Sequence, residues 1–130
     1  MDIQIELAAV RAADLTLPPP KETSEDVARR VLAARTIQAQ RFRQLGKPEL
    51  RTNSEADGAL LEEIARPDAA GLVLLRDAAD AMNLSARGYH RVLRVARTLA
   101  DLDRQQQVAR IHIAEALSYR QKLASLQAAA

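Results

Sequence analysis

The sequence has no cysteine. Disulfides, thiolate zinc sites and cysteine nucleophiles are therefore excluded, and the composition suits a reducing compartment. Tryptophan is absent, and Phe42, Tyr89 and Tyr119 are the only aromatic residues. A core must be built from Leu, Val, Ile and Ala, which favours helices packed closely on helices. The longest aliphatic run is Leu72-Val73-Leu74-Leu75, far short of a membrane span. Met1-Asp2-Ile3-Gln4 supplies neither a basic n-region nor an apolar h-region, so no signal peptide is expected and the expected location is the cytoplasm. Glycine is scarce: Gly46, Gly58, Gly71 and Gly88. None falls in a G-x-x-x-x-G-K-[ST] or G-x-G-x-x-G pattern, so no phosphate-cradling loop is present.

What remains is globular. The 130 residues are 48% apolar and 28% charged, suited to one domain rather than to disorder. Nineteen Lys and Arg oppose 17 Asp and Glu, but in blocks. Residues 1–26 hold 2 basic and 6 acidic side chains, and 27–51 hold 7 and 1. Residues 52–83 hold 2 and 7, and 84–97 hold four arginines and no acid. Two readings follow. Adjacent helices pair opposite charges across their rims, or two basic surfaces meet an anion, either nucleotide phosphate or a nucleic-acid backbone.

Asp2-Ile-Gln-Ile-Glu-Leu7 alternates polar and apolar, the pattern of a half-buried strand. No comparable second strand follows, and a lone strand cannot satisfy its ladder groups, so the segment is disordered, pairs with another copy, or belongs to a sheet in another part of the protein. Residues 8–22 read as a connector ending in Pro18-Pro19-Pro20. Thr23 or Ser24 caps a helix running to Leu45, with Glu25 and Asp26 in its first turn and a stop at Gly46 and Pro48. Its inward stripe is Val27, Val31, Leu32, Ile37, Phe42 and Leu45. After a polar loop over 46–56, a short helix spans Ala59–Ala65. Pro67 is expected at the first position of the next helix, with Asp68 behind it. That helix runs to about Met82, with Leu72, Leu75, Ala78, Ala79 and Met82 inward.

Asn83-Leu84 turns the chain and Ser85 caps the following helix. Tyr89, Val92, Leu93, Ala96, Leu99 and Ala100 fall at 0, +3, +4, +7, +10 and +11, a strong helical stripe. A last helix follows Val108, with Ile113, Ala116, Leu117, Ala124 and Leu126 inward. Its tail from Gln127 should fray. The expected fold is mainly α, a bundle of four to five helices with a short orphan strand at the N-terminus. The expected division is 1–22, strand and connector, and 23–127, helical domain.

Few residues offer chemistry. His90 and His112 lack a carboxylate at a metal-ligand spacing, so structural roles are expected and no metal site. Ser85 and His90 have no nucleophile-elbow context, and no catalytic residue stands out. Arg87 is unusual. It occupies the second position of a helix, where exposed N–H groups already carry positive charge and an acid is preferred. N–H donors beside a guanidinium make an anion site. Arg91 and Arg94 continue its face at +4 and +7, with Arg97 to one side. They extend that site or pair with the acidic 52–83 segment. The stretch from Leu75 to Leu93 also scans as a helix-turn-helix, in which Ser85, Arg87, Gly88 and Arg91 would face a DNA major groove.

Leu84-Ser-Ala-Arg-Gly-Tyr-His-Arg-Val-Leu-Arg-Val-Ala-Arg-Thr-Leu-Ala-Asp-Leu102 closely resembles the C-terminal domain of magnesium-chelatase-like AAA+ ATPases of the ComM/YifB type. Ser24-Glu-Asp-Val-Ala-Arg-Arg-Val-Leu-Ala-Ala-Arg35, with Gln40-Arg41-Phe42, resembles the family's first lid-side helix. His112-Ile-Ala-Glu-Ala-Leu-Ser-Tyr-Arg120 resembles its closing helix, and Asp2–Leu7 the end of its ATPase-core sheet. The resemblance implies an AAA+ lid domain cut from a larger ATPase, with the nucleotide-binding core absent and this piece inactive alone. It sets Arg87 in the place of a sensor-2-type arginine, with Ser85 and Arg91 beside it, toward the phosphate of ATP bound with Mg by the core. The implied partners are that core, neighbouring subunits of a hexameric ring, and DNA handled by the parent during uptake and recombination; no membrane is implied. The likeness to true chelatase is one of fold, and nothing in the residues supports metal insertion.

Overall fold

The computed structural model describes residues 21–129, together with Ile3 and Ile5, with side chains described through residue 120. The chain is helical: α1 (Ser24–Gln44), a 3-10 turn (Asn53–Glu55), α2 (Gly58–Ile64), α3 (Ala69–Ala81), α4 (Ala86–Leu102) and α5 (Arg110–Ala129). Five α-helices among the described residues match the expected bundle. The strand over 2–7 and the proline connector lie outside the described residues, apart from Ile3 and Ile5, which are exposed. No helix among the described residues is long and apolar enough to cross a membrane.

Local chemistry sets the helix ends. Thr23 closes a capping box on α1: its hydroxyl accepts from the Asp26 N–H at 3.2 Å, and the Asp26 carboxylate accepts from the Thr23 N–H at 3.0 Å. Two orphan donors are satisfied reciprocally. The other end closes at Gly46 (φ 75°). Lys47 N–H reaches back to the Phe42 carbonyl at 2.8 Å and Gly46 N–H to Arg43 at 3.1 Å, a Schellman stop. The same step ends α3 at Asn83 (φ 50°) and α4 at Arg104 (φ 57°), with return bonds Leu84 to Ala79 and Gln105 to Ala100.

Asp68, not Pro67, governs the start of α3. The Asp68 carboxylate accepts from Gly71 N–H at 2.7 Å, making Asp68 the cap and moving Pro67 outside the helix. Pro67 is buried and forms a parallel bridge with Val108, closed by Asp68 N–H to the Val108 carbonyl at 2.9 Å. This contact ties the start of α3 to the start of α5. At α5 a histidine takes the capping role: His112 Nδ1 accepts from Ala109 N–H at 2.9 Å. The ring proton therefore sits on Nε2, which donates to Asp103 at 2.8 Å.

The central element is α4. It packs against α1, α2 and α5, and α5 packs in turn on α3. The core joins Phe42, Leu61, Leu75, Val92, Leu93, Ala96, Ala100, Val108, Ile113, Ala116 and Leu117. The expected stripe of α4 points inward, with Tyr89 and Leu99 partly covered. The stripe expected on α1 does so at Phe42 and in part at Ile37, but not elsewhere. Val27, Val31, Leu32 and Leu45 are exposed, and the buried face is Ala34, Gln38 and Phe42. Polar contacts set that rotation, because Gln38 Oε1 accepts from the buried Asn53 N–H at 3.0 Å. α5 is described to Ala129, and the side chains of Ala124, Leu126 and the tail from Gln127 lie outside the described ones.

Candidate anion-binding cleft

Ser85 starts α4 after the turn at Asn83 has ended α3. Its hydroxyl accepts from Gly88 N–H at 3.1 Å. One turn further, Arg87, His90, Arg91 and Arg94 line an open cleft of about 570 Å³ with Asp57. The spacing expected from sequence thus places Arg87, Arg91 and Arg94 on one face. Ser85 is not part of the lining; it contributes as the cap that fixes the helix start.

The lining residues are held to different degrees. Arg94 is pinned: its guanidinium contacts the Asp57 carboxylate and donates from Nε to the Ala56 carbonyl at 3.1 Å. Asp57 precedes α2 but makes no side-chain cap bond, its carboxylate being engaged by Arg94. His90 Nε2 lies 3.3 Å from Glu62 Oε1. Arg94–Asp57 and His90–Glu62 join the arginine-rich 84–97 block to the acidic 52–83 block, as the charge-pairing reading expected. Arg91 lies half-buried along the cleft. Arg87 is exposed, and among the described residues nothing forms a hydrogen bond or ion pair with it. Three guanidiniums and an imidazole line one wall of the cleft, and Asp57 is the single acid in its lining. Such a surface suits an anion with several acceptor oxygens.

Arg97 belongs elsewhere. It is 2% exposed and donates to three carbonyls, Ile64 at 3.2 Å, Gln106 at 2.8 Å and Gln105 at 2.6 Å. Its Nη2 also lies 3.0 Å from Asp101 Oδ1. Burial pushes its pKa below the usual arginine range; Asp101 opposes that shift and Arg41 adds to it. The left-handed step at Arg104 turns residues 105 and 106 back over α4, where their carbonyls meet the guanidinium. Asp101 is buried as well and accepts from Arg41 and from Asn53 Nδ2 at 2.9 Å. These functional-looking charges are structural. The available signal was positional: Leu93 and Ala100, at −4 and +3 from Arg97, are both inward.

The helix-turn-helix alternative meets an obstacle at Gly88. That residue is buried, and a Cβ added there would lie 3.5 Å from Arg120 Nη2 and 3.6 Å from Leu84 Cδ2. It is covered by its own domain rather than offered to a groove. Among the described residues, no three His, Asp or Glu side chains converge to hold a metal ion.

Residues 21–120 match the family model described as magnesium chelatase, subunit ChlI C-terminal. The chain is 40% identical over 121 residues to an uncharacterized protein of Mycobacterium tuberculosis, covering 93% of this chain and 23% of that protein. It is 39% identical over 106 residues to competence protein ComM of Haemophilus influenzae, covering 82% of this chain and 19% of that protein. It is 32% identical over 116 residues to uncharacterized protein YifB of Escherichia coli, covering 82% and 22%. The chain thus spans roughly a fifth to a quarter of the length of these relatives.

Proposed function

Because this chain belongs to the magnesium chelatase ChlI C-terminal family, we propose that it acts as the lid of a larger AAA+ ATPase and presents Arg87 to the phosphates of a nucleotide held by the rest of that protein. In this reading residues 1–22 lead out of the ATPase core and 23–127 form the lid. The observation that carries it is the contrast within one cleft: Arg94 is held by Asp57 and Ala56, whereas Arg87 is exposed at the start of α4 with no described partner.

The cleft residues fit such a ligand. Arg87 supplies a planar fork for phosphate oxygens, and Arg91 extends the positive surface along the same wall. Ser85 fixes the helix start from which both project. ATP, bound with Mg by the core, supplies the free energy of hydrolysis. An arginine that meets the phosphate in one lid position and not in another makes lid angle depend on nucleotide state, since a ligand shifts an equilibrium only by its differential affinity. In a ring of such subunits, the hexamer that the family resemblance implies, lid motion passes to the neighbouring core.

The test is Arg87→Ala in the full-length parent. Loss of a charge-assisted hydrogen bond is worth roughly 1.5–3 kcal/mol, or about a ten- to hundredfold weaker nucleotide affinity, with turnover falling in step. Unchanged affinity and turnover would remove the role. Sequence-selective duplex DNA binding by the isolated chain, at submicromolar concentration, would instead favour a DNA-reading module.

A further inference from the structure

A second basic cleft lies on the other basic block, residues 27–51, and is independent of the nucleotide reading. The arginines of α1 fall into two groups. Arg29 pairs with Asp26, Arg30 with Glu22, and Arg41 with Asp101. Arg35 and Arg43 have no hydrogen-bond or ion-pair partner among the described residues. These two line a single cleft of about 610 Å³, together with Arg51 from the loop after α1. The Arg51 backbone N–H is tied to Glu55 at 2.9 Å, which anchors that stretch of loop, while its side chain is likewise without a described partner. No acidic side chain lines this cleft.

The pattern is selective rather than diffuse. Where α1 meets acids, its arginines are paired; where three arginines share a cleft, none is. The hydroxyls there are already engaged, Thr36 with the Leu32 carbonyl at 2.9 Å and Thr52 with Ser54 at 2.8 Å, so the cleft offers charge rather than neutral donors. Arg35 and Arg43 stand eight residues apart on one helix, or roughly 12 Å along its axis. That separation suits an extended polyanion with repeating charges better than one compact anion. Nucleic acid has the densest such repeat, about one charge per 1.7 Å of duplex axis. No aromatic side chain lines the cleft, so bases have no stacking platform and contact is confined to the backbone.

From these observations we infer that Arg35, Arg43 and Arg51 form a binding site for the phosphate backbone of nucleic acid, without sequence selectivity. The test measures fluorescence anisotropy of a labelled mixed-sequence DNA duplex with the 130-residue chain across a salt series. Three phosphate contacts predict a slope of log K against log salt of about −2.7. Arg35→Ala, Arg43→Ala and Arg51→Ala should each make the slope shallower by about one contact's worth, and the triple variant should abolish the salt-dependent binding. Lysine at all three positions should retain the slope, and Arg76→Ala, on α3, should leave it unchanged. All three arginines are exposed, so circular dichroism should report native helicity in every variant. Binding undiminished in the triple variant overturns the site. So does displacement of the duplex by polyglutamate at equal charge concentration, which would assign the cleft to acidic polypeptide.

Discussion

Arg41 and Asp101 are sixty residues apart in the chain and bound to each other in the fold. The Arg41 guanidinium reaches from α1 to α4 and contacts both Asp101 oxygens, with Nη1 3.2 Å from Oδ2. Asp101 is fully buried and also faces Arg97, so one carboxylate serves two guanidiniums and the Asn53 amide. It joins α1, the 3-10 turn and α4.

Removing that carboxylate leaves two cations facing each other in a poorly solvated site. Asp101→Ala should destabilise the fold by roughly 3–5 kcal/mol, the usual cost of stripping one partner from a buried pair. Chemical denaturation measures this directly. A loss under about 1 kcal/mol would mean that water or the carbonyls around Arg97 suffice without it.

Two glycines at equivalent helix positions should respond in opposite directions to alanine. At Gly71 an added Cβ would sit 2.9 Å from Asp68 Oδ1, 3.1 Å from Pro67 Cβ and 3.3 Å from the Arg110 backbone nitrogen. The cap and the junction between α3 and α5 would have to open, at about 1–3 kcal/mol. At Gly88 the nearest atoms are 3.5 Å away, an ordinary contact. Gly88→Ala should stabilise α4 by about 0.4–1 kcal/mol through lost freedom in the unfolded chain. Melting temperatures of the two variants should move apart, and a parallel shift would refute the packing argument.

Acid should loosen the start of α1. The Thr23 backbone N–H, and then its hydroxyl, hold the Asp26 carboxyl below the ordinary carboxylate range. A lowered folded pKa contributes stability above the unfolded value, and that stability is lost as pH falls through the folded one. NMR titration of the Asp26 carboxyl should therefore show a depressed midpoint that rises only part of the way in Thr23→Ala, because alanine keeps the backbone N–H and removes only the hydroxyl. An equal midpoint in both proteins would show that the hydroxyl contributes nothing to the shift.

Much of the fold is legible in the chain because its signals act within one or two turns. Thr23, Ser85, Gly46 and Asn83 each mark a helix end through bonds to residues three to five positions away. The stripe from Tyr89 to Ala100 gives α4 and its inward face. Pro67 shows the limit: its N1 geometry is locally plausible, but a bridge to Val108 on a distant segment excludes it from the helix. The inward face of α1 is read only in part for the same reason: Phe42 is buried as expected, but Gln38 turns inward to Asn53 on a distant segment while Val27 stays exposed.

The candidate site divides along the same line. Residue order alone set Arg87, Arg91 and Arg94 on one face of α4 and put Ser85 at its start, because helical periodicity is a property of the local chain. Only the tertiary structure separated the arginines by task. It committed Arg94 to Asp57, sank Arg97 among carbonyls and joined Arg41 to Asp101, while leaving Arg35, Arg43, Arg51 and Arg87 without described partners. Pairing between charges requires partners brought together from different helices, and no periodicity within a single helix encodes where those partners will lie.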